Sequence, residues 1–251
     1  MDNSAVNNAI AGRYSLPKLL LLRKAWHAQA TIGGGVRTAL VFLLIPILPL
    51  LFLLSHALSY ALLRLQLSLS PLETNLILSV ASLPLMAPWI TGLMLIGIDA
   101  ARGTPSGFAR VLECYERVVP LTLVAVTASI ASAIGMLLFV LPGLYLLVGC
   151  TLALPLVVDA QLQPARAIMV SLQAIHHRWF DFAVIIALLL LTMFFSMVFV
   201  GLPLWLILPW QAAVIGTLYC AIFHTGSTTE PPGGENHFRN ATAIFNDSLQ
   251  R

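Results

Sequence analysis

Few residues in this chain pair a reactive side chain with a spacing that chemistry needs. His176 and His177 are adjacent, so on a helix they point about 100° apart and cannot form the i, i+4 pair of a helical metal site. Cys114, Cys150 and Cys220 have no CxxC or Cys/His spacing and read as free, mostly buried thiols. No Gly-rich phosphate loop, GxSxG elbow or HExxH occurs. Gly33-Gly34-Gly35 lacks the strand and following lysine of a phosphate cradle, and reads as a flexible hinge before a first membrane span. The pattern offers no catalytic, cofactor-binding or metal-ligating residue, so the expectation is a non-enzyme without a cofactor.

Ionisable groups inside apolar stretches are the next place to look, because placing one at mid-bilayer costs several kcal/mol. Asp99, Asp159 and Asp181 fall at the ends of such stretches and read as interfacial anchors or partners of neighbouring arginines. His56 lies well inside one, with Ser55, Ser59 and Tyr60 around it; a hydrogen-bonded interfacial histidine is the favoured reading. Together with Gln211 these residues are also the candidate lining of a cavity beside the first two spans. Pro46, Pro49, Pro84 and Pro88 can kink those spans. For Gln211 itself, a hydrogen bond to a neighbouring helix is the first expectation. Ala128, Ser129, Ser132, Ala133 and Gly135 form overlapping small-xxx-small pairs, which let helices approach closely.

The elements that carry these residues follow from charge. The sequence is 59% hydrophobic and 9% charged, against roughly a quarter charged in soluble domains, so much of it belongs in lipid. Asp, Glu, Lys and Arg are absent from Thr38–Leu63, Asn75–Ile98, Val119–Val158 and Phe182–Phe223. A helix crossing about 30 Å of hydrocarbon needs roughly 20 apolar residues, so the last two blocks each hold two spans. Leu141-Pro142-Gly143 and Gly201-Leu202-Pro203 supply turn signals at their centres. The sequence thus predicts an all-α polytopic bundle with spans near 38–63, 74–98, 119–140, 143–160, 182–200 and 203–223. Of the 13 Lys and Arg residues, only Arg64 then falls on the far side, which makes the other side cytoplasmic and both termini cytoplasmic. The polar start carries no cleavable signal pattern.

Residues 1–37 form a cytoplasmic segment with a short amphipathic helix near Pro17–His27, 38–223 the six-span domain, and 224–251 a disordered cytoplasmic tail. Amphipathic surface helices are expected near 105–118 and 164–178, where Phe108, Leu112 and Tyr115, then Ile168, Leu172 and Ile175, recur at helical spacing. Asp99 and Asp159, Phe108 and Ile168, and Leu112 and Leu172 share one offset, which suggests a repeat of surface helix plus hairpin.

The stretch from Leu141 to Phe180 resembles the YciC-like family of bacterial integral membrane proteins, and the membrane domain of some glycerophosphodiester phosphodiesterases looks related. The carrying residues are Leu141, Pro142 and Gly143, then Ala153-Leu154-Pro155, Val158-Asp159, Ala167, Ser171 and Arg178-Trp179. The resemblance implies a six-span bundle in a bacterial inner (cytoplasmic) membrane and brings no catalytic residues. The short tail after Phe223 leads to the expectation that no phosphodiesterase domain is attached. The functional expectation is a non-enzymatic protein with a structural, regulatory or partner-binding role. The alternative is a transporter or lipid-handling protein. Membrane lipids, and a protein partner or a second copy, are the expected partners; nucleic acid is not.

Overall fold

The computed structural model describes residues 3–12, 18–64, 70–104, 106–198 and 204–223, and every regular element among them is helical. In chain order these are α1 (Asn3–Ile10), α2 (Lys18–Phe42), a π-turn (Leu43–Ile47), α3 (Leu48–Arg64), α4 (Pro71–Ala101), α5 (Ala109–Tyr115) and α6 (Val118–Leu138). There follow α7 (Val140–Gly149), α8 (Ala153–Asp159), α9 (Pro164–His176), α10 (Trp179–Val198) and α11 (Leu204–Phe223). Among the described residues, six apolar segments are long enough to cross a bilayer: Ile32–Ala61, Glu73–Ala101, Val118–Leu138, Val140–Asp159, Trp179–Ser196 and Trp205–Phe223.

Prolines set most of the breaks. A proline ring clashes with the carbonyl four residues back, and its missing N–H is harmless in a helix's first turn. Pro142 therefore ends α6 at Leu138, leaves Phe139 extended (φ −158°, ψ 145°), and sits in the first turn of α7. The turn expected at Leu141-Pro142-Gly143 is thus shifted: it lies at Phe139, and the Leu-Pro-Gly motif begins the next helix. Pro155 acts alike within the fourth span, separating α7 from α8 at residues 150–152. Pro46 ends α2 at Phe42 and forces the π-turn, where the Leu48 N–H reaches back to the Leu43 carbonyl. The break at 201–203 and the tail from 224 lie outside the described residues.

Capping is clearest at α4. Glu73 N–H donates to Ser70 Oγ (3.3 Å), Ser70 N–H donates to Glu73 Oε2 (2.7 Å), and Pro71 occupies the first turn, a capping box followed by a proline with no N–H to satisfy. The first expected surface helix is shorter than its sequence pattern suggests, Ala109–Tyr115, and turns at Glu116 and Arg117 into α6. The second runs Pro164–His176. The glycine run is no hinge. Gly33, Gly34 and Gly35 lie inside α2, and Gly35 packs against the backbone of Gly107; absent side chains serve close approach there.

The core gathers around α11, α2 and the second half of α4. Leu95, Ile96 and Ile98 of α4 are buried with Val36 and Ala39 of α2 and Ala213 and Leu218 of α11. Gly97 and Gly216 form the crossing point: a side chain on Gly97 would strike Ala212, and one on Gly216 would strike Gly97. By contrast, no described side chain from Leu48 to Met86 is buried. Residues 18–64 run about 70 Å at 1.5 Å per residue, far longer than α11, which lies along α2 and leaves α3 outside the core. Accordingly the Arg37 guanidinium lies 5.7 Å from the Trp205 ring. The sequence reading places those two residues at opposite membrane faces; the helix register brings them together.

Candidate functional site

The strongest polar constellation joins three helices. Asp159 ends α8, Arg102 follows α4, and Tyr219 lies near the end of α11. Arg102 Nη1 and Nη2 donate to Asp159 Oδ1 and Oδ2, both at 2.6 Å, and the Tyr219 hydroxyl donates to Oδ2 at 2.7 Å. The guanidinium also lies 5.9 Å from the Tyr219 ring centroid. The hydrogen bond to Asp159 raises the Arg102 pKa above its already high ordinary value, against the opposing effect of burial. A carboxylate that accepts three hydrogen bonds, two from a fixed cation, is a good clamp.

A second pair stands beside it. Arg110 of α5 reaches Asp99 of α4 (3.1 Å) and Glu113 (2.6 Å), while Arg102 lies 3.9 Å from Asp99. Burial works against the charged form of Arg110, but the Glu113 hydrogen bond and the Asp99 charge raise its pKa overall. Next to them, burial pushes the Cys114 thiol up to about 12, and Tyr115, whose hydroxyl donates to the Leu85 carbonyl at 3.0 Å, is also pushed up to about 12 by burial. The expected role of Asp99 and Asp159 as arginine partners is met. Tyr219 carries no sequence signal beyond being a hydroxyl near the end of an apolar span.

The residues expected to line a cavity do not meet. Ser55 Oγ donates to the Phe52 carbonyl and Ser59 Oγ to the Ser55 carbonyl, both within α3. His56 is exposed and bonds the Phe52 carbonyl at 3.0 Å, and the exposed Tyr60 accepts from Arg64 Nε at 2.8 Å. Gln211 instead turns to α10, where its Nε2 donates to the Leu189 carbonyl (2.9 Å) and Thr192 Oγ1 (3.2 Å). The interhelical reading of Gln211 is correct, and the shared cavity is not formed.

The small residues of α6 divide. Ser132 and Gly135 are buried, with Gly135 against the backbone of Gly143; Ala128 is half-buried, and Ser129 and Ala133 are exposed. Of the family motif, Leu141 and Pro142 are exposed at the hairpin tip, Gly143 packs on Met136, and Pro155 is buried. Asp159 sits in the clamp, and the buried Ser171 hydroxyl donates to the Gly149 carbonyl at 2.5 Å.

One open groove, about 550 Å³, lies where α9 meets α10. Tyr145 and His176 Nδ1 share a 2.9 Å hydrogen bond on one side. His177 Nε2 donates to the Ile10 carbonyl (2.9 Å), tying α1 to the groove, and Gly12, in a left-handed turn at φ +68°, lets the chain pass the His177 ring. Arg178, Trp179, Phe180 and Asp181 complete the lining. No group of three or more His, Cys, Asp and Glu suited to a metal occurs among the described residues.

These features define an all-α, multi-pass membrane helix bundle with an Arg102–Asp159–Tyr219 clamp joining three of its helices. Comparison with protein-family models, with curated proteins and with solved structures finds no match to this chain.

Proposed function

We propose that this chain is a non-enzymatic bacterial inner-membrane protein with a structural or partner-binding role, both termini facing the cytoplasm. The observation that carries the reading is the three-helix clamp: Asp159 accepts from both Arg102 Nη atoms and from Tyr219. A catalytic or ion-carrying carboxylate needs a lone pair or a proton it can exchange, and this one is committed to holding α4, α8 and α11 together. Orientation is supported by the charge division of the sequence: even with Arg37 drawn to Trp205 at the start of α11, Arg64 is the only other Lys or Arg that the six-span reading assigns to the far side.

The repeat of surface helix plus hairpin is supported by Asp99 and Asp159, which both close spans and both face arginines. The amphipathic reading of α9 is supported by buried Ala167, Val170, Ala174 and Ile175 opposite exposed Arg166 and Gln173. That face is rotated from the expected stripe of Ile168, Met169, Leu172, Ile175 and Trp179, of which only Ile175 is buried and Met169 is exposed. The transporter reading has lost its proposed lining, since those residues bond within α3 or to α10.

Cross-linking and affinity purification of the tagged chain from native membrane tests the role. A stoichiometric protein partner or a homo-oligomer is expected. A clean monomer under gentle extraction would count against it.

A further inference from the structure

We propose that α3 and the outer half of α4, residues 48–64 and 70–86, form a two-armed lever that swings on the helical core about a proline hinge in each arm. Three observations converge. First, each arm carries its own pivot. A proline ring cannot donate to the carbonyl four residues back and clashes with it, and sharp helix bends gather at prolines and π-turns. In the first arm Pro46 lies inside the π-turn Leu43–Ile47, and Pro49 follows in α3. In the second arm Pro84 and Pro88 interrupt α4.

Second, the pivots stand at matched depth. Trp89 Nε1 donates to the Ala39 carbonyl at 3.0 Å, which ties the two arms together at their base. Pro46 lies about 10 Å beyond Ala39 along the first arm, and Pro84 about 8 Å beyond Trp89 along the second. The arms are joined at their far ends by the chain, so neither can swing unless the other bends at a similar depth. The base itself is held by α5. The Phe42 ring packs on Phe108 with centroids 5.0 Å apart, and the Tyr115 hydroxyl donates to the Leu85 carbonyl at 3.0 Å.

Third, the hold on the hairpin ends at that base. Buried side chains reach Ile47 in the first arm and resume at Ala87 in the second, and no described side chain between them is buried. A helix packed in a bundle buries one side even when the other faces lipid; neither arm does. The polar side chains follow the same rule. Ser55, His56 and Ser59 bond carbonyls of α3, while Thr74, Ser79 and Ser82 bond carbonyls of α4 and its cap. The proposal does not rest on the partner-binding role.

The test is double electron–electron resonance on the full chain in lipid nanodiscs, with Cys114, Cys150 and Cys220 replaced by alanine. Spin-labelled Ser59→Cys and Val80→Cys report the two arms and Ile90→Cys the core, each paired with Gln173→Cys; all four positions are exposed. Ser59 lies about 20 Å beyond Pro46, so a swing of about 20° moves it about 7 Å. Both arm pairs should therefore give distance distributions about twice as wide as the core pair. Replacing Pro46 and Pro49 by alanine should narrow the Val80 pair as well as the Ser59 pair to the core width, because the arms move together. Replacing Pro84 and Pro88 by alanine should do the same, and decides if the first variant loses helicity by circular dichroism. The proposal is overturned if either arm pair of the parent is as narrow as the core pair, or if a folded proline variant keeps the parent's width.

Discussion

The guanidinium of Arg102 meets the carboxylate of Asp159 through two parallel N–H···O bonds of 2.6 Å, across 57 residues of sequence. With side chains only 24% and 7% exposed, the pair is largely withdrawn from water, and removing one partner strands the other. Asp159→Asn or Arg102→Met should each destabilise the fold by about 3 kcal/mol, the lower end of the range for broken buried pairs. Tyr219→Phe should cost about 1 kcal/mol. Thermal unfolding in detergent reads these values. Non-additivity in the Arg102→Met, Asp159→Asn double variant would show that the two act as one unit.

Helix α11 crosses α4 where Gly97 and Gly216 leave no room for a side chain. Gly97→Ala places a methyl group against the Ala212 backbone, which cannot swing away as a side-chain tip can. A loss of about 2 kcal/mol or more is expected. Gly34→Ala is the control: nothing lies near that position, and alanine favours the helix by up to about 1 kcal/mol. Parallel thermal melts of the two variants should move in opposite directions.

Burial holds Cys114 as a neutral thiol, pushed up to about 12. The nucleophile is the thiolate, so Cys114 should resist maleimide at pH 8 in the folded protein and react once denatured. The linkage sign follows. Its folded pKa lies above the unfolded value of about 8.5, so as pH rises through the unfolded value the unfolded state ionises first. The contribution of this group to stability should therefore fall between about pH 9 and 12. Equal labelling of folded and unfolded protein would refute the assignment.

Cysteines introduced at Arg64 and at Gln173, both exposed, should label from opposite sides of the membrane. Labelling from the same side would remove the six-span topology. A third cysteine at Arg37 separates two arrangements of the first helix. Contact with Trp205 links its accessibility to the start of α11, whereas the charge division of the sequence links it to the cytoplasmic face.

The sequence by itself determined that the chain is helical, that six apolar segments are long enough to span, and where charge collects. Those properties are local or additive: hydrophobic runs, scarce charges, and prolines that stop helices. Even the misplaced turn was within reach, because the clash of Pro142 falls on the Leu138 carbonyl four residues earlier. The tertiary structure alone decided which acid meets which base. Asp99 and Asp159 are identical at span ends, yet only Asp159 receives Arg102 in two-pronged form and a hydroxyl from Tyr219. Those partners are separated by 57 and 60 residues, and their meeting depends on how helices cross. The glycine run likewise reads as freedom in one dimension and as close packing in three. The grouping of Tyr145 with His176 and Trp179 needs α7, α9 and α10 assembled before it exists, because no sequence period relates their positions.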